Sequence, residues 1–398
     1  MSSNDTIYNK WAEELDQLKM QGNFRSLPLI AHDGKWIIPS GKERLLNLSS
    51  NDYLGLGADK ELMSEFWQQM SAEHLLMTSS SSRLLTGNFD VFEELEALLA
   101  RLFHKESALV FNCGYHANAG ILPAICDEHT LILADKLVHA SLIDGIRLAG
   151  SKYIRYRHNQ YSQLERLLEQ NANDYQTIVI VVESIYSMDG DVTDLPKLVE
   201  LKKKYNHVLL YVDEAHAVGV RGDSGLGLAE EQGCVDDIDI LIGTLGKAMA
   251  SSGAYVVCRR VLRDYLVNRM RPFIFTTALP PICISWTIFL FQRLAGWRDR
   301  RNHLSKISQA VQNAVAEREG GSSVLISQSQ IIPLLAGESS RAIAMAEYFQ
   351  RKGFYVLPVR PPSVPVGTAR LRFSLSAAMT DSEVSLLTDA INQLNADL

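Results

Sequence analysis

Val208-Leu209-Leu210-Tyr211-Val212 followed by Asp213-Glu214-Ala215-His216, and Ile238–Ile242 followed by Gly243-Thr244-Leu245-Gly246-Lys247, are the stretches that decide the fold. Each is a short, continuous apolar run that ends in polar residues. Continuous apolar runs of this length predict strands that are buried on both faces, as in a parallel sheet covered by helices. Ligands bind beyond the carboxyl ends of such strands, so the polar residues after each run are candidate site residues.

The rest of the chain extends this pattern and then changes it. Further apolar runs, separated by helical patterns, are Ala108–Phe111, Leu131–Ala134, Ile178–Val182 and Tyr255–Cys258. We therefore predict an α/β fold with a large domain built on a mostly parallel sheet. After about Trp286, longer helices alternate with the strands Ile331–Leu335 and Ala369–Ser374, which predicts a smaller C-terminal α+β domain. The expected domains are an N-terminal helical segment at 1–46, a large domain at 47–285 and a small domain at 286–398.

Composition is that of an ordinary globular protein. The 398 residues are 46% hydrophobic and 21% charged, with a net charge of −7 and a pI near 5.8, so nucleic acid and acidic membranes are not expected partners. The five cysteines are odd in number and never form a CxxC pair, so we expect no disulfide framework, no metal site and a reducing, cytoplasmic location. We also expect no signal peptide and no membrane span.

The polar residues at the predicted strand ends match the needs of a pyridoxal 5'-phosphate (PLP) site. Such a site needs a lysine that bonds to the cofactor aldehyde and a carboxylate that keeps the pyridine nitrogen protonated. It also needs a ring that stacks on the pyridine, and phosphate donors at a helix start. The residues that meet these needs, in the same order, are Lys247, Asp213, His139, the Gly114-Tyr115 turn and Thr244.

Each of these residues alone has an ordinary structural explanation. An aspartate at a strand end usually caps a helix, and a lysine after a glycine usually lies in solvent. A single histidine such as His139 is more often structural than a stacking ring. Their joint occurrence at successive strand ends favours the cofactor site.

The chain from about Asn47 to Ala390 resembles the α-oxoamine synthases, a branch of the fold-type I PLP enzymes. The residues that carry the resemblance are Ser49-Ser50-Asn51-Asp52-Tyr53-Leu54-Gly55-Leu56, Asp135-Lys136-Leu137-Val138-His139-Ala140-Ser141, Ser187-Met188-Asp189-Gly190-Asp191, Asp213-Glu214-Ala215-His216 and Gly243-Thr244-Leu245-Gly246-Lys247. The resemblance implies a fold-type I PLP-dependent transferase whose large domain has a mostly parallel seven-stranded sheet. It also implies a homodimer with a shared active site.

The resemblance assigns roles to these residues. Lys247 would hold the cofactor and act as acid and base, and Asp213 would pair with the pyridine nitrogen. His216 would bond the ring hydroxyl and His139 would stack on the ring; with Lys247 and Asp213 they form the expected catalytic set. The implied cofactor-binding residues are Gly114, Tyr115, His139, Ser187, Asp213, His216, Thr244, Lys247, Thr276 and Thr277. Of these, Thr276 and Thr277 would complete the phosphate site of the partner subunit.

The expected substrates come from the resemblance of one C-terminal segment to particular members of the family. The segment from Arg360 to Arg372 looks most like the family members that join L-alanine to a pimeloyl thioester, on CoA or a carrier protein, in biotin synthesis. The reaction would release CO₂, a free thiol and an α-amino ketone. Arg372 would bind the amino-acid carboxylate with Asn51 nearby, and Arg25 and Ser363 are further candidates for substrate binding. A glycine-dependent ligase, a longer-chain synthase, an aminotransferase and a non-catalytic PLP-binding module stay open as alternatives.

One loop departs from the family pattern. Thr78-Ser79-Ser80-Ser81-Ser82-Arg83 stands where the family usually has a glycine-rich stretch. Glycines there permit positive φ, which costs a serine energy. We expect either a different loop path with ordinary dihedrals or a path held by hydroxyl hydrogen bonds. The serines would then cap the following helix or narrow the acyl entrance.

Overall fold

The computed structural model describes residues 3–41, 43–71, 75–318 and 327–394. Its helices are α1 (Ser3–Met20), α2 (Lys60–Gln69), α3 (Asp90–Leu102), α4 (Gly114–Ile125), α5 (Ala140–Ala149), α6 (Tyr161–Asn171), α7 (Leu195–Lys202), α8 (Leu228–Glu231), α9 (Arg260–Arg269), α10 (Arg271–Ile274), α11 (Pro281–Phe291), α12 (Arg298–Arg318), α13 (Ser339–Arg351) and α14 (Asp381–Asn392). Its strands are β1 (Ile30–Asp33), β2 (Trp36–Pro39), β3 (Leu45–Asn47), β4 (Ser107–Phe111), β5 (Thr130–Asp135), β6 (Lys152–Tyr156), β7 (Thr177–Glu183), β8 (Val208–Asp213), β9 (Ile240–Thr244), β10 (Ala254–Cys258), β11 (Ile331–Gly337), β12 (Phe354–Tyr355), β13 (Pro358–Val359) and β14 (Ala369–Ser374).

The chain divides into two compact units. The larger unit comprises Asn51–Ser187 and Asp191–Leu304, and the smaller one comprises Met1–Ser50, Met188–Gly190 and Ser305–Leu398. The boundary expected between 285 and 286 falls inside α11, whereas the division between the units follows Leu304. Residues 1–46, expected as a separate helical segment, also contain β1, β2 and the first two residues of β3. They group with the C-terminal residues because β3 pairs in parallel with β12.

The larger unit is built on a mixed sheet in the order β4-β10-β9-β8-β7-β5-β6, seven strands in the described part of the chain. β10 runs antiparallel to β4 and β9, and the other neighbouring strands pair in parallel. The predicted α/β class and the mostly parallel sheet are confirmed. β6 was absent from the predicted apolar runs because it is an edge strand with mostly exposed side chains.

The register of this sheet brings several polar residues to one edge. Asp213 at the end of β8 lies opposite Glu183 at the end of β7 and opposite Ile242 on β9. On the other side, Thr244 at the end of β9 lies opposite Ala254 of β10, and Ala254 also pairs with Phe111 at the end of β4. The turns after β4, β7, β8 and β9 are therefore neighbours.

Helices α4 and α5 pack closely against each other beside this edge. A Cβ added to Gly145 in α5 would lie 2.3 Å from the carbonyl oxygen of Asn118 in α4, so no side chain fits there. The close approach fixes Asn118 relative to the start of α5. The strands beneath are fully buried and form the main apolar core of the unit.

The smaller unit has the α+β character expected from the C-terminal sequence. One sheet has the order β1-β2-β3-β12 and the other β11-β14-β13. On the second sheet, Phe373 of β14 packs edge-on against Phe349 of α13, with ring centroids 5.1 Å apart. Thr380 and Glu383 form a reciprocal capping box at the start of α14. No helix within the described residues is long and apolar enough to cross a membrane.

The serine-rich loop in the larger unit follows the second of the two expected paths. Ser80 adopts a left-handed conformation with φ of 48°. Its backbone N–H donates to Oγ1 of Thr78 at 3.1 Å, and the buried Ser79 hydroxyl donates to the carbonyl oxygen of Leu279 at 2.6 Å. Hydroxyl hydrogen bonds therefore hold a backbone conformation that glycine would adopt without strain.

The expectation that these serines cap the next helix is wrong. The N-cap residue of α3 is Phe89, and no side chain hydrogen bonds to the first turn at that position. Ser81 Oγ instead accepts from the backbone N–H of Thr86 at 3.2 Å. The reason is distance along the chain, because the turn from Ser81 to Gly87 separates the serines from the helix start.

Candidate active site

Lys247 lies at the tip of the hairpin between β9 and β10. Backbone hydrogen bonds close this tip: Leu245 N–H donates to Gly253 O, and Ser251 N–H donates to Leu245 O, both at 2.9 Å. Ala250, with φ of 42°, donates to the carbonyl oxygen of Lys247 at 2.8 Å. The tight turn holds the half-buried lysine beside the carboxyl end of the sheet.

A chain of hydrogen bonds begins at Lys247. Its Nζ lies 3.0 Å from Nε2 of His216, whose Nδ1 lies 2.7 Å from the Tyr53 hydroxyl. Tyr53 in turn donates to Oδ1 of Asn51 at 2.9 Å. Because the Tyr53 proton goes to Asn51, Nδ1 of His216 donates to Tyr53. Tyr53 therefore orients the His216 ring with Nε2 facing Lys247.

Asp213 is a buried carboxylate at the end of β8. Its Oδ1 accepts from the backbone N–H of Ala215 at 2.9 Å, and its Oδ2 accepts from Nδ2 of Asn118 at 2.6 Å. The Tyr211 hydroxyl donates to Oδ1 of Asn118 at 2.7 Å, which fixes the orientation of the amide. A buried charge is costly unless it is hydrogen-bonded, and these contacts supply that stabilisation.

His139 is linked to the same amide. Asn118 Nδ2 also donates to the Ser141 hydroxyl at 3.0 Å, and that hydroxyl lies 2.8 Å from Nδ1 of His139. The backbone N–H of Ser141 donates to the same Nδ1 at 3.2 Å. Desolvation lowers the pKa of His139, Asp213 opposes this shift and Lys247 adds to it. The ring is therefore neutral, and its orientation is tied to that of the Asp213 carboxylate.

Glu183 is a second carboxyl group beside Asp213. Complete burial raises the pKa of Glu183 well above its usual value, and the negative charge of Asp213 raises it further. Its Oε1 atom has no hydrogen-bond partner within the described part of the chain. Burial therefore favours the protonated form of Glu183, and the negative charge of this pair resides on Asp213.

Gly114 at the start of α4 and Thr244 at the end of β9 lie close together, and we call this pair the Gly114–Thr244 cradle. A Cβ added to Gly114 would lie 2.5 Å from Oγ1 of Thr244, so only glycine allows the helix N-terminus to approach this hydroxyl. The first turn of α4 contains no acidic residue. Backbone N–H groups at a helix start and a hydroxyl are suitable donors for a phosphate. Tyr115, next to Gly114, is 48% exposed and its hydroxyl bonds Asp144 at 2.5 Å.

These features fit PLP. The Gly114–Thr244 cradle suits a phosphate, the buried Asp213 carboxylate suits a protonated ring nitrogen and Lys247 suits an aldehyde. His139 is an exposed residue at the same sheet edge, with its ring held by Ser141. Ser187 is half-buried in the turn after β7. The larger unit thus brings together most of the predicted cofactor residues.

Thr276 and Thr277 lie in the larger unit as well. Asn112, which follows β4, donates from Nδ2 to the carbonyl oxygen of Thr277 at 2.7 Å and to Oγ1 of Thr276 at 3.4 Å. These contacts hold the Thr276-Thr277 segment next to the turn that begins α4.

The predicted substrate residues are distributed over the two units. Asn51 belongs to the larger unit, at the end of the Lys247 hydrogen-bond chain. In the smaller unit, Nη2 of Arg25 donates to the Ser363 hydroxyl at 2.9 Å. Arg372 on β14 is half-buried and donates from Nη1 to the Ser374 hydroxyl at 2.7 Å. The structure therefore joins Arg25 to Ser363, far apart in sequence.

Sequence reasoning missed the residues that support this site. Asn118 lies one helical turn after Gly114 and is a single amide in the apolar segment from Ala117 to Ile125, which is a signal that could have been used. Glu183 is the terminal residue of β7, as Asp213 is of β8. The Tyr211 contact has no signal in the sequence, because it depends on helix packing.

Comparisons with known proteins agree with this architecture. The family model "Aminotransferase class I and II" matches residues 43–391. A putative 8-amino-7-oxononanoate synthase of Glaesserella parasuis is 54% identical over 376 residues, with 94% of this chain and 98% of that one covered. An 8-amino-7-oxononanoate synthase of Haemophilus ducreyi is 54% identical over 381 residues, with the same coverage.

A solved structure has the same fold. A serine palmitoyltransferase variant from S. paucimobilis, with bound PLP and myriocin, superposes with a TM-score of 0.86 at 26% identity, covering 97% of both chains. The family model spans most of the chain, and each of the two synthases is similar to this chain over nearly its full length. The chain therefore belongs to the aminotransferase class I and II family and, within it, to the α-oxoamine synthases.

Proposed function

We propose that this chain is a PLP-dependent C-acyltransferase that condenses L-alanine with a pimeloyl thioester, on CoA or a carrier protein. The products are 8-amino-7-oxononanoate, CO₂ and the free thiol, as in biotin synthesis. The observation that carries the proposal is the hydrogen bond of 3.0 Å between Lys247 and His216 at the edge where Asp213 ends its strand. The identity of 54% to two 8-amino-7-oxononanoate synthases supports the choice of substrates.

In this proposal one group of residues holds the cofactor, and Lys247 moves a proton. The chemistry that PLP supplies when bound is withdrawal of electrons from the amino-acid Cα. Asp213 would hold a proton on the pyridine nitrogen, and the neutral His139 would stack on the ring. The N-terminus of α4 and the Thr244 hydroxyl would bind the phosphate. Ser187 contributes a further polar contact.

Lys247 has two roles in this proposal. In the resting enzyme it would be the amine that holds the cofactor aldehyde, and during the reaction its Nζ would take and return the proton at the amino-acid Cα. His216 holds Nζ through Nε2 and is itself oriented by Tyr53. Arg372 binds the amino-acid carboxylate and Asn51 supports it, while Arg25 and Ser363 contact the acyl substrate.

We also propose a homodimer with a shared active site in a reducing, cytoplasmic setting. The segments from Leu76 to Ser81 and from Ala278 to Ile282 are joined by backbone hydrogen bonds. Large apolar side chains are exposed beside them, with Met77 71% and Phe275 72% exposed. Exposed apolar surface of this kind is typical of a protein interface. All five cysteines are free thiols, which supports the reducing setting.

The reaction is tested by incubating the purified protein with L-alanine, glycine or L-serine and a panel of acyl thioesters. We expect thiol release with L-alanine and a pimeloyl thioester. Lys247→Ala should abolish thiol release and the visible absorption of the lysine-bound cofactor, because the substitution removes the amine assigned to the aldehyde. Lys203→Ala, an exposed lysine paired with Asp237, is the matched control and should behave as wild type. Consumption of alanine without an acyl thioester would instead indicate an aminotransferase.

The two neighbouring carboxyl groups should differ sharply when each is replaced by its amide. Asp213→Asn should still bind PLP but lower kcat by about 100-fold or more, a barrier increase of about 2.7 kcal/mol, because a neutral amide cannot stabilise the protonated pyridine. Glu183→Gln should change kcat by less than about threefold, since a protonated carboxyl and an amide are both neutral. Steady-state kinetics on both variants measure this, and equal losses would contradict the assignment.

The buried carboxyl pair of Glu183 and Asp213 also predicts how the free energy of unfolding depends on pH. A raised folded-state pKa means that the native state keeps the Glu183 proton above pH 4.5 or so, where the unfolded state releases it. Wild-type stability therefore decreases as pH rises above this value, and Glu183→Gln removes the decrease. Urea unfolding at about pH 5 and about pH 8 should show the variant gaining stability relative to wild type at the higher pH. An unchanged difference would mean that Glu183 is ionised in the native state.

Oligomeric state is measured by light scattering on the active enzyme. We expect twice the 44.4 kDa mass of one chain. A fully active species at the mass of one chain would contradict the shared site, because one protomer alone would then suffice.

A further inference from the structure

A half-buried histidine outside the proposed catalytic set lies between two carboxylates. His158, in the turn after β6, places Nδ1 2.9 Å from Oδ1 of Asp135 and Nε2 2.6 Å from Oδ2 of Asp191. Asp135 is fully buried and Asp191 is 9% exposed. The Tyr186 ring packs edge-on against the imidazole, with centroids 4.4 Å apart.

The geometry fixes the charge of this histidine. An ionised carboxylate only accepts hydrogen bonds, so a nitrogen that faces one at hydrogen-bond distance has to carry a proton. Both ring nitrogens of His158 face such an oxygen, and a neutral imidazole has only one N–H. Burial alone would lower the pKa of His158, but the hydrogen bonds and charges of Asp135 and Asp191 outweigh it and raise the pKa to about 10.

Apart from His158, the described groups whose pKa Asp135 shifts are tyrosines and one carboxyl group, not cations. The hydroxyls of Tyr156, Tyr161 and Tyr186 lie close to Asp135, and burial comes first among the causes that raise the pKa of each. Glu183, on the neighbouring strand, is affected by Asp135 as well, and burial raises its pKa too. At neutral pH these groups are uncharged. The imidazolium is then the group that neutralises the Asp135–Asp191 pair.

Asp135 and Asp191 each accept a hydrogen bond within a turn that carries a cofactor residue, Asp135 through its carboxylate and Asp191 through its backbone carbonyl. Asp135 Oδ1 also accepts from the backbone N–H of Leu137 at 2.8 Å, in the turn that leads to His139. The carbonyl oxygen of Asp191 accepts from Tyr186 N–H at 3.1 Å, which closes the turn that contains Ser187.

A third contact ties the cluster together. Asn159, with φ of 50°, donates its backbone N–H to Asp135 at 2.9 Å and its side-chain amide to Asp191 at 3.0 Å. The turn after β6 thus hydrogen-bonds both carboxylates, through His158 and through Asn159.

We propose that His158 is a positioning residue: as a doubly protonated imidazolium between Asp135 and Asp191, it holds in place the two turns that present His139 and Ser187 to the cofactor. The proposal rests on the proposed function only for the assignment of those two residues to PLP. In this role His158 acts through Asp135 and Asp191 rather than by contact with substrate or cofactor.

The charge state is tested on the wild-type holoenzyme by NMR of ¹⁵N-labelled histidine side chains. We expect two N–H signals from one imidazole at about pH 8.5, where an ordinary histidine is neutral. Their loss in His158→Gln assigns them. A His158 ring with one protonated nitrogen at that pH would overturn the proposal. This measurement needs no catalytic activity, so it is separate from the test of the proposed function.

The positioning role is tested by PLP titration and by visible circular dichroism of the bound cofactor, which reports the orientation of its ring. His158→Gln leaves two buried carboxylates without their cation and should weaken PLP binding by about tenfold or more, with a changed dichroism band. His158→Gln combined with Asp191→Asn removes one of the two charges and should recover part of the affinity. His129→Gln, an exposed histidine beside Glu128, is the matched control and should change neither readout.

Each outcome decides the role. Partial recovery in the double variant supports charge neutralisation by His158, because a purely steric role would make the second substitution additive. PLP affinity within about threefold of wild type and an unchanged dichroism band in a folded His158→Gln variant would overturn it. If thiol release fails while the imidazolium and the PLP effect are both observed, the proposed reaction is wrong and the positioning role stands.

Discussion

The ionised carboxylate of Asp213, buried at the end of β8, is the constraint on which the site depends. Taking a charge out of water is costly, and this one is stabilised by the Asn118 amide and the Ala215 backbone N–H. The Asn118 amide is fixed in turn by Tyr211 and by Ser141. The orientation of the His139 ring follows, because Ser141 holds it. One buried charge thus determines the arrangement of a helix, a strand and a turn.

Two pairs of carboxyl groups lie close together near this sheet edge, and each pair avoids charge repulsion in a different way. Glu183 lies opposite Asp213, and burial favours its protonated form. A few residues away, the carboxylates of Asp135 and Asp191 share one imidazolium. The first pair avoids repulsion by protonation of one member, and the second by a cation between the two. With Glu183 protonated and the Asp135–Asp191 pair balanced by its cation, Asp213 remains the negative charge at the sheet edge that also carries the Lys247 hairpin.

Much of the fold could be predicted from the sequence, because buried parallel strands are continuous apolar runs and ligands bind at their carboxyl ends. β6 was missed because an edge strand has exposed side chains. The pairing of β3 was missed because its partner β12 is about 300 residues away, so that no local pattern reports it. β1 and β2 pair with each other locally, but each has only four residues and β1 is mostly exposed. The antiparallel direction of β10 is set by the tight turn after Lys247.

The site was predictable to the extent that its residues end strands. Asp213 and Thr244 end strands and Lys247 follows three residues after one, so the order of apolar runs and polar residues identified all three. Asn118 stands out as a single amide in an apolar segment, but its contact with Asp213 and that of Tyr53 with His216 join distant elements, and packing is needed to show them. The serine-rich loop shows the same limit, because its positive φ at Ser80 could be foreseen as an option but the Leu279 contact that holds it could not.

The central claim is that Asp213 keeps the pyridine nitrogen of the cofactor protonated. It is tested most directly by the ¹⁵N chemical shift of PLP labelled at that nitrogen, bound to the wild-type enzyme and to Asp213→Asn. The account predicts a protonated nitrogen in wild type at about pH 8 and an unprotonated one in the variant. An unprotonated nitrogen in the wild-type enzyme, or no difference between the two proteins, would contradict it.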